Sequence, residues 1–440
     1  MLLEGELLLS AGAKVVLVTI VTPTFEGHDS EFNSMASLRE LKDLVRTLGL
    51  DCVGEVVQKK SELDSGTILG RGKIFEAAEL ARELDAEFLI FDFELSASQV
   101  RNIKEISELN VTDRCHIILE IFARHARTRE AKIQIDISRL KYLLPRLSGF
   151  WAHFGRQRGG VGVLGGEGEQ QIELDRRMIR KRIQFLQEQL HDVQVSRMEQ
   201  RKKRHQKAVT AALVGYTNAG KSSLMNRLCK VNVLEENKLF ATLDSTYRTL
   251  NPDTKPPMIL IDTVGFLSNL PNTLIDGFKT TLESAIEADL LIIVCDISDP
   301  NYEKHLKVTH DVLLELNVDT KEQIIVFNKA DLLNDEMRAK IIKRKYPNSF
   351  VVSSFNVEDI AKLRTHIINY FLSLQQTHDL FVPYEDGLAH SEIMSQTNIE
   401  VTEHHEKGIY YRIRTPEFIF SRLEAKKYLL APEEINLKNP

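Results

Sequence analysis

The chain has 440 residues, which at about 150 residues per domain suggests roughly three domains and excludes a single small module. Hydrophobic residues make up 43% and charged residues 27%, with only 22 Gly and 12 Pro, so a disordered or fibrous chain is excluded as well. The net charge of −6 conceals a basic block: residues 124–207 hold 20 Lys/Arg against 9 Asp/Glu, a net +11, which leaves −17 for the rest. Such asymmetry points to a localised face for a polyanion, the plainer alternative being a solvated helical surface.

Cys52, Cys115, Cys229 and Cys295 lie far apart without a C-x-x-C pair, which argues against a disulfide framework or a thiolate zinc site. The acidic start Met-Leu-Leu-Glu-Gly-Glu is unlike a secretory signal, and no apolar run approaches the roughly 18 residues of a bilayer span. The expectation is a cytoplasmic protein with no integral membrane insertion.

In chain order, residues 15–21, 53–57 and 88–91 read as strands and 38–48, 74–84 and 97–109 as helices, an alternation that predicts an N-terminal α/β domain over 1–112 with a mainly parallel sheet. Ile133, Ile137, Leu140 and Leu144 then line one helix face until Pro145. Ile172, Ile179, Ile183, Leu186, Leu190 and Val193 follow at heptad spacing. Two long helices packed as a hairpin are therefore expected over 113–207, with Gly159, Gly160, Gly162, Gly165, Gly166 and Gly168 in their connection. The second helix ends in Arg201-Lys202-Lys203-Arg204, where cations also favour the helix dipole.

Strands are expected again at 209–214, 258–261, 290–294, 324–327 and 350–352, each preceding a polar motif, as in a doubly wound α/β domain over 208–374. Residues 375–440 read as a smaller α+β domain, with a hairpin from 399–401 and 409–413 and a terminal helix over 418–429. His378, His390, His404 and His405 fit no zinc spacing and read as surface residues.

Gly215-Tyr216-Thr217-Asn218-Ala219-Gly220-Lys221-Ser222 matches G-x-x-x-x-G-K-[ST] between a strand and a helix, which makes it a phosphate-binding loop. Asn218, Ala219, Gly220, Lys221, Ser222 and Ser223 would line the phosphates, with Lys221 on the β/γ-phosphates and Ser222 on Mg²⁺. In Asp262-Thr263-Val264-Gly265, the carboxylate can hold the metal's water shell and the Gly265 N–H can meet the γ-phosphate. Asn328-Lys329-Ala330-Asp331 selects the base, because a carboxylate pairs with guanine N1 and its 2-amino group but not with adenine. Asn328 would hold the base edge or brace the phosphate loop, and the Lys329 stem would cover the purine. Ser353 and Ser354 are expected to present backbone N–H groups to the guanine carbonyl. Thr242, in a switch segment, is chosen over Thr246 as the hydroxyl that meets Mg²⁺. Lys221, Thr242 and Gly265 are the catalytic candidates of a Mg-dependent GTPase.

Phe266 stands where a water-orienting Gln is common. Two readings follow: slow intrinsic hydrolysis accelerated by a partner, or a core phenylalanine with a catalytic residue elsewhere. Asn218 resembles the asparagine of GTPases that use K⁺.

The sequence resembles the HflX family of ribosome-associated GTPases. The resemblance is carried by Phe93-Glu94-Leu95-Ser96-Ala97-Ser98-Gln99, Asp113-Arg114, residues 121–130, Leu140-Lys141-Tyr142-Leu143-Leu144-Pro145-Arg146-Leu147, residues 169–177, Phe240-Ala241-Thr242-Leu243-Asp244 and Asp262-Thr263-Val264-Gly265-Phe266. It implies binding to the large ribosomal subunit and its rRNA, splitting or rescue of stalled ribosomes under stress, and hydrolysis stimulated by the ribosome. It also implies an N-terminal ATP site in some members, for which Gly70-Arg71-Gly72-Lys73 is the local candidate and an ordinary strand-to-helix turn the alternative. Three departures from the family stand out: Gly165-Gly166-Glu167-Gly168-Glu169 where it usually has Arg-Gly-Pro-Gly-Glu, Ser245 in place of Pro, and Ser354 in place of Ala. A competing function is a scaffolding GTPase that assembles through its heptad seam and binds anionic membrane peripherally.

Overall fold

The computed structural model describes residues 9–21, 30–60, 63–147, 165–205, 208–229, 240, 245–251, 254–267, 285–318, 320–333 and 336–431. Among these, residues 9–193 and Phe240 form one compact unit, and the remainder forms a second.

The first unit opens with β1 (Lys14–Val21), α1 (Ser30–Thr47), β2 (Asp51–Lys59), α2 (Arg71–Glu83), β3 (Phe88–Phe91), α3 (Ala97–Ser107), β4 (Asn110–Asp113) and α4 (Arg114–His125). The four strands pair in parallel in the order β2-β1-β3-β4. From Val15 onward β1 is buried without alternation, as expected of a parallel strand covered on both faces. The expected 97–109 helix stops at Ser107 because Glu108 turns left-handed at φ 58°, releasing the chain into β4. Asp113 ends that strand and caps α4, accepting from the His116 N–H at 3.0 Å and also from the Leu95 N–H at 3.0 Å.

A buried charge cluster fixes this end of the sheet. Arg114, only 2% exposed, pairs with Asp92 at 2.9 Å and with Glu40. Arg146 pairs with Asp113 at 3.3 Å, donates to the Leu95 carbonyl and lies 3.6 Å over the Tyr142 ring. The Asp113-Arg114 pair, quoted for the resemblance, therefore has a structural role here.

The hairpin consists of α5 (Arg129–Leu143), a 3-10 turn at Leu144–Arg146, and α6 (Gly165–His205). Ile133, Ile137 and Leu186 form its seam, with Leu140, Ile183, Leu190 and Val193 packed around them, as the heptad spacing predicts. One expectation fails: Gly165, Gly166 and Gly168 are helical rather than part of the connection. A helical glycine costs about 1 kcal/mol relative to alanine, but cooperative propagation of a 41-residue helix carries it. Gly159, Gly160 and Gly162 lie outside the described residues.

The second unit contains β5 (Val209–Gly215), α7 (Lys221–Leu228), β6 (Thr246–Asn251), β7 (Met258–Asp262), β8 (Leu290–Asp296), α8 (Tyr302–Glu315), β9 (Gln323–Asn328), α9 (Glu336–Lys345), β10 (Phe350–Val351) and α10 (Val357–Ser373). The sheet order is β10-β9-β8-β5-β7-β6, parallel except for β6. Strands β7 and β8 flank β5 on opposite sides, so the carboxyl end of β5 is a topological switch point, where open α/β sheets bind ligands.

A three-stranded antiparallel sheet follows, β11-β13-β12, from β11 (Gln375–Pro383), β12 (Asn398–His405) and β13 (Gly408–Pro416), with α11 (Gly387–Gln396) packed on it. The expected hairpin is present, but the expected 418–429 helix is not continuous. It splits into α12 (Glu417–Phe420) and a 3-10 turn at Glu424–Tyr428, because Leu423 turns extended and joins the Leu380 and Tyr411 core. His378 is buried and stacked on Phe420 rather than at the surface. No helix among the described residues is long and apolar enough to cross a membrane.

Removing Arg114 would take the cation from buried Asp92, whose carboxyl is already pushed up by burial. Arg114→Ala is expected to lower stability by about 3–5 kcal/mol. Urea unfolding of the full chain would read this as a lower midpoint for the first unit; an unchanged midpoint would contradict it.

Candidate nucleotide site

The site is built at the end of β5, where the chain can turn only because of its glycines. Gly215 has φ 148°, and a Cβ there would lie 2.1 Å from the Val294 carbonyl. Gly220 has φ 87°, and its Cβ would lie 2.3 Å from Asn328 Nδ2. Any side chain at either position would drive the phosphate loop off its neighbours. Asn218 also takes a left-handed φ of 59° with its side chain exposed, a conformation asparagine tolerates.

Inside the loop, Lys221 is 6% exposed and its Nζ donates to the carbonyls of Gly215 at 3.1 Å and Tyr216 at 2.8 Å. Burial pulls this ammonium down to about 8, and Asp262 acts in the opposite direction. The cation is thus held without a full counter-charge at the place where a phosphate would supply one. Ser222 Oγ donates to Asp262 Oδ2 at 2.6 Å. This hydroxyl and carboxylate form the hard oxygen pair that suits a hydrated Mg²⁺. Ala219 is buried, and Ser223 half-buried, at the start of α7.

Gly265 abuts the loop closely, since a Cβ there would lie 2.7 Å from Thr217 Cα and 2.9 Å from Lys221 Nζ. Phe266 extends the sheet by one bridge to Tyr216: its N–H donates to the Gly215 carbonyl at 3.0 Å, and its carbonyl accepts from the Thr217 N–H at 2.7 Å. Its side chain is 2% exposed. The ring therefore packs as core, which is compatible with either reading of hydrolysis. Thr242 lies outside the described residues. Phe240, two positions earlier, belongs to the first unit, where its ring meets Phe122 edge-on at 4.6 Å.

The loop expected to select the base follows β9. Asn328 is buried; its Nδ2 donates to the Ala219 carbonyl at 3.0 Å, while its Oδ1 accepts from the Ser354 N–H at 3.2 Å and from Ser354 Oγ at 2.8 Å. The expected brace to the phosphate loop is thus present. Asp331 is exposed and accepts from Ser353 Oγ at 2.5 Å. Its burial, on which discrimination depends, must therefore come with the base. Lys329 takes φ 63° and its Nζ pairs with Asp296 Oδ2 at 2.7 Å, which anchors the stem expected to cover the purine. Asp296 was not singled out from the sequence, although its place at the end of β8 is the signal that could have found it.

The N–H groups of Ser353 and Ser354, expected to face a guanine carbonyl, are donated to Asp359 Oδ2 at 3.1 Å and to Asn328. The hydroxyls, overlooked in the sequence, orient Asp331 and Asn328 instead, and the Ser354 hydroxyl would keep Asn328 satisfied if its N–H turned to a guanine carbonyl.

The N-terminal glycines show no comparable constraint. Gly70 precedes α2 with an ordinary φ of −65° and donates its N–H to Gln58 Oε1 at 3.3 Å; Lys73 pairs with Glu76 at 2.5 Å. Among the described residues no cluster of three or more His, Cys, Asp or Glu could hold a metal ion.

Two outcomes follow from this geometry. Binding of GDP should recharge Lys221, so proton uptake should be near zero at pH 7 and grow above pH 8, with affinity falling by up to about tenfold per pH unit there. Calorimetry in buffers of different ionisation enthalpy would detect this, and no uptake at pH 9 would contradict it. Asp331→Asn replaces one of the two acceptor oxygens expected to meet guanine by an NH2 donor and should weaken GDP by about tenfold or more; equal affinity for wild type and variant would contradict the assignment.

Three family models match the chain: a GTP-binding GTPase N-terminal region over residues 35–123, a GTP-binding GTPase middle region over 125–204, and a 50S ribosome-binding GTPase over 210–329. The GTPase HflX of Alkalihalophilus pseudofirmus is 39% identical over 387 residues, covering 88% of this chain and 90% of that protein. The GTPase HflX of Escherichia coli K12 is 34% identical over 416 residues, covering 94% and 96%. A solved GTP-binding protein from Sulfolobus solfataricus, in complex with GDP, aligns over 80% of this chain and 99% of its own at 22% identity and a TM-score of 0.43. With a phosphate loop, a guanine-selecting loop and relatives of this similarity along most of its length, the chain belongs to the HflX family of GTPases.

Proposed function

We propose that this GTPase binds the large ribosomal subunit through rRNA, and that it splits or rescues stalled ribosomes under stress, with hydrolysis stimulated by the ribosome. The observation that carries the proposal is the outer face of α6. Its apolar seam is used against α5, yet Arg177, Arg180, Lys181 and Arg182 all stand exposed beside it. A rigid helix presenting consecutive cations to solvent suits phosphate neutralisation along RNA. The matching 50S ribosome-binding GTPase model and the HflX relatives support the same partner. In this reading segment 113–207 is the RNA-facing part, 1–112 is the N-terminal α/β domain, 208–374 is the GTP-driven switch and 375–440 is the C-terminal α+β domain.

Mg²⁺ would be held by Ser222 directly and by Asp262 through water, with Thr242 joining in the GTP state. Bound there, it would neutralise charge on the β- and γ-phosphate oxygens. Asn218, exposed at the loop's edge, is where K⁺ would add to that charge. If K⁺ takes part, single-turnover hydrolysis in K⁺ should exceed that in Na⁺; identical rates would remove it. An ATP site at Gly70-Arg71-Gly72-Lys73 gains no support from the hydrogen bond and ion pair that Gly70 and Lys73 already make.

Cosedimentation with large subunits tests the partner. Binding should depend on GTP over GDP and weaken steeply with salt. Replacing Arg177, Arg180, Lys181 and Arg182 by Gln should make the log–log salt slope shallower by about one for each phosphate no longer neutralised. An unchanged slope, or a preference for anionic vesicles accompanied by self-assembly, would favour the scaffolding alternative.

A further inference from the structure

Two half-buried arginines of the second unit, Arg248 and Arg364, have no carboxylate partner among the described residues. Arg248 sits directly opposite Leu260 in the β6–β7 pairing, and opposed residues of an antiparallel pair share a face of the sheet. Leu260 is buried in one cluster with Leu224 and Leu228 of α7 and with Leu363 and Ile367 of α10, so Arg248 lies on the face that these two helices cover. Arg364 reaches the same strand from α10, its guanidinium donating to the Leu250 carbonyl at 3.0 Å. Both charges bear on one thiol. Burial pushes Cys229, at the end of α7, up to about 11, while Arg248 and Arg364 each act in the opposite direction. The Nε of each arginine is enclosed with no hydrogen-bond partner among the described residues.

Two like charges near one another are mutually unfavourable, and burial withholds the water that would screen them. An anion with several acceptor oxygens relieves both costs, and the planar fork of a guanidinium matches the oxygens of a phosphate group. We propose that Arg248 and Arg364 bind a phosphate group at the edge of the GTPase sheet, beside Cys229. This site is separate from the nucleotide's, since Lys221 and Cys229 stand at opposite ends of α7, about 12 Å apart along its axis. Free phosphate and an RNA phosphodiester offer the same chemistry. Arg248 follows Thr242 by six residues, so a phosphate held here would brace β6, the strand that leaves the switch segment, against α10.

The test uses the full chain saturated with Mg²⁺ and a non-hydrolysable GTP analogue, which fills the phosphate loop. Alkylation of Cys229 at pH 9, followed residue by residue by mass spectrometry, should slow by about threefold or more when inorganic phosphate replaces chloride at equal ionic strength, because neutralised arginines no longer favour the thiolate. Cys52, in the first unit, should not respond. Replacing Arg248 and Arg364 together by Gln should abolish the protection and weaken phosphate binding, measured by calorimetry, by about tenfold or more, with affinity for the GTP analogue unchanged. Protection by hexauridylate at lower concentration than phosphate would identify a phosphodiester as the source, and protection by phosphate alone the free ion. No slowing in wild type, equal slowing of Cys52, or undiminished phosphate binding by the double variant would overturn the proposal. Because protection is read on wild-type protein, a variant that fails to fold does not leave the question open, and no step involves ribosomes.

Discussion

One buried amide ties the nucleotide site together. Asn328 leaves the end of β9 and donates across to the Ala219 carbonyl in the phosphate loop, while its own carbonyl holds the loop that begins at Ser354. The loops expected to bind phosphate and base come from chain segments 109 residues apart, and this side chain bridges them. Gly220 must be glycine because the same amide occupies the space its Cβ would need. A buried amide with both ends satisfied is also stiff, since breaking either bond leaves a polar group unpaired.

The phosphate half is poised by burial. Lys221 is enclosed by its own loop and held by two carbonyls, an arrangement that solvates an ammonium less well than water does and that an anion would relieve. Ser222 and Asp262 meet directly, and Gly265 lies almost against the lysine. The carboxyl ends of β5 and β7 thus bring together a cation, a hydroxyl, a carboxylate and a peptide nitrogen, the set required to grip a triphosphate. Phe266 closes this end as core.

Much of this was legible in the sequence because it rests on local rules. Buried parallel strands read as unbroken apolar runs, as in β1, β5 and β8. The α5/α6 seam followed from heptad spacing, and the phosphate loop from its own glycines. What was missed depends on tertiary partners. The N–H groups of Ser353 and Ser354 looked free because Asn328 and Asp359 are distant in sequence or outside any motif. The Lys329–Asp296 pair joins two strand ends. The terminal helix broke because burying Leu423 outweighed helix propensity, and Gly165, Gly166 and Gly168 became helical because a long neighbouring helix overrode theirs.

If the Asn328 brace organises both halves, then replacing it should harm ligands that occupy only one. Titrations of pyrophosphate and of guanosine, performed separately on Asn328→Ala protein of wild-type thermal stability, test this directly. The account predicts that both ligands bind more weakly than to wild type. Undiminished pyrophosphate binding beside lost guanosine binding would contradict it, because Asn328 would then serve the base alone.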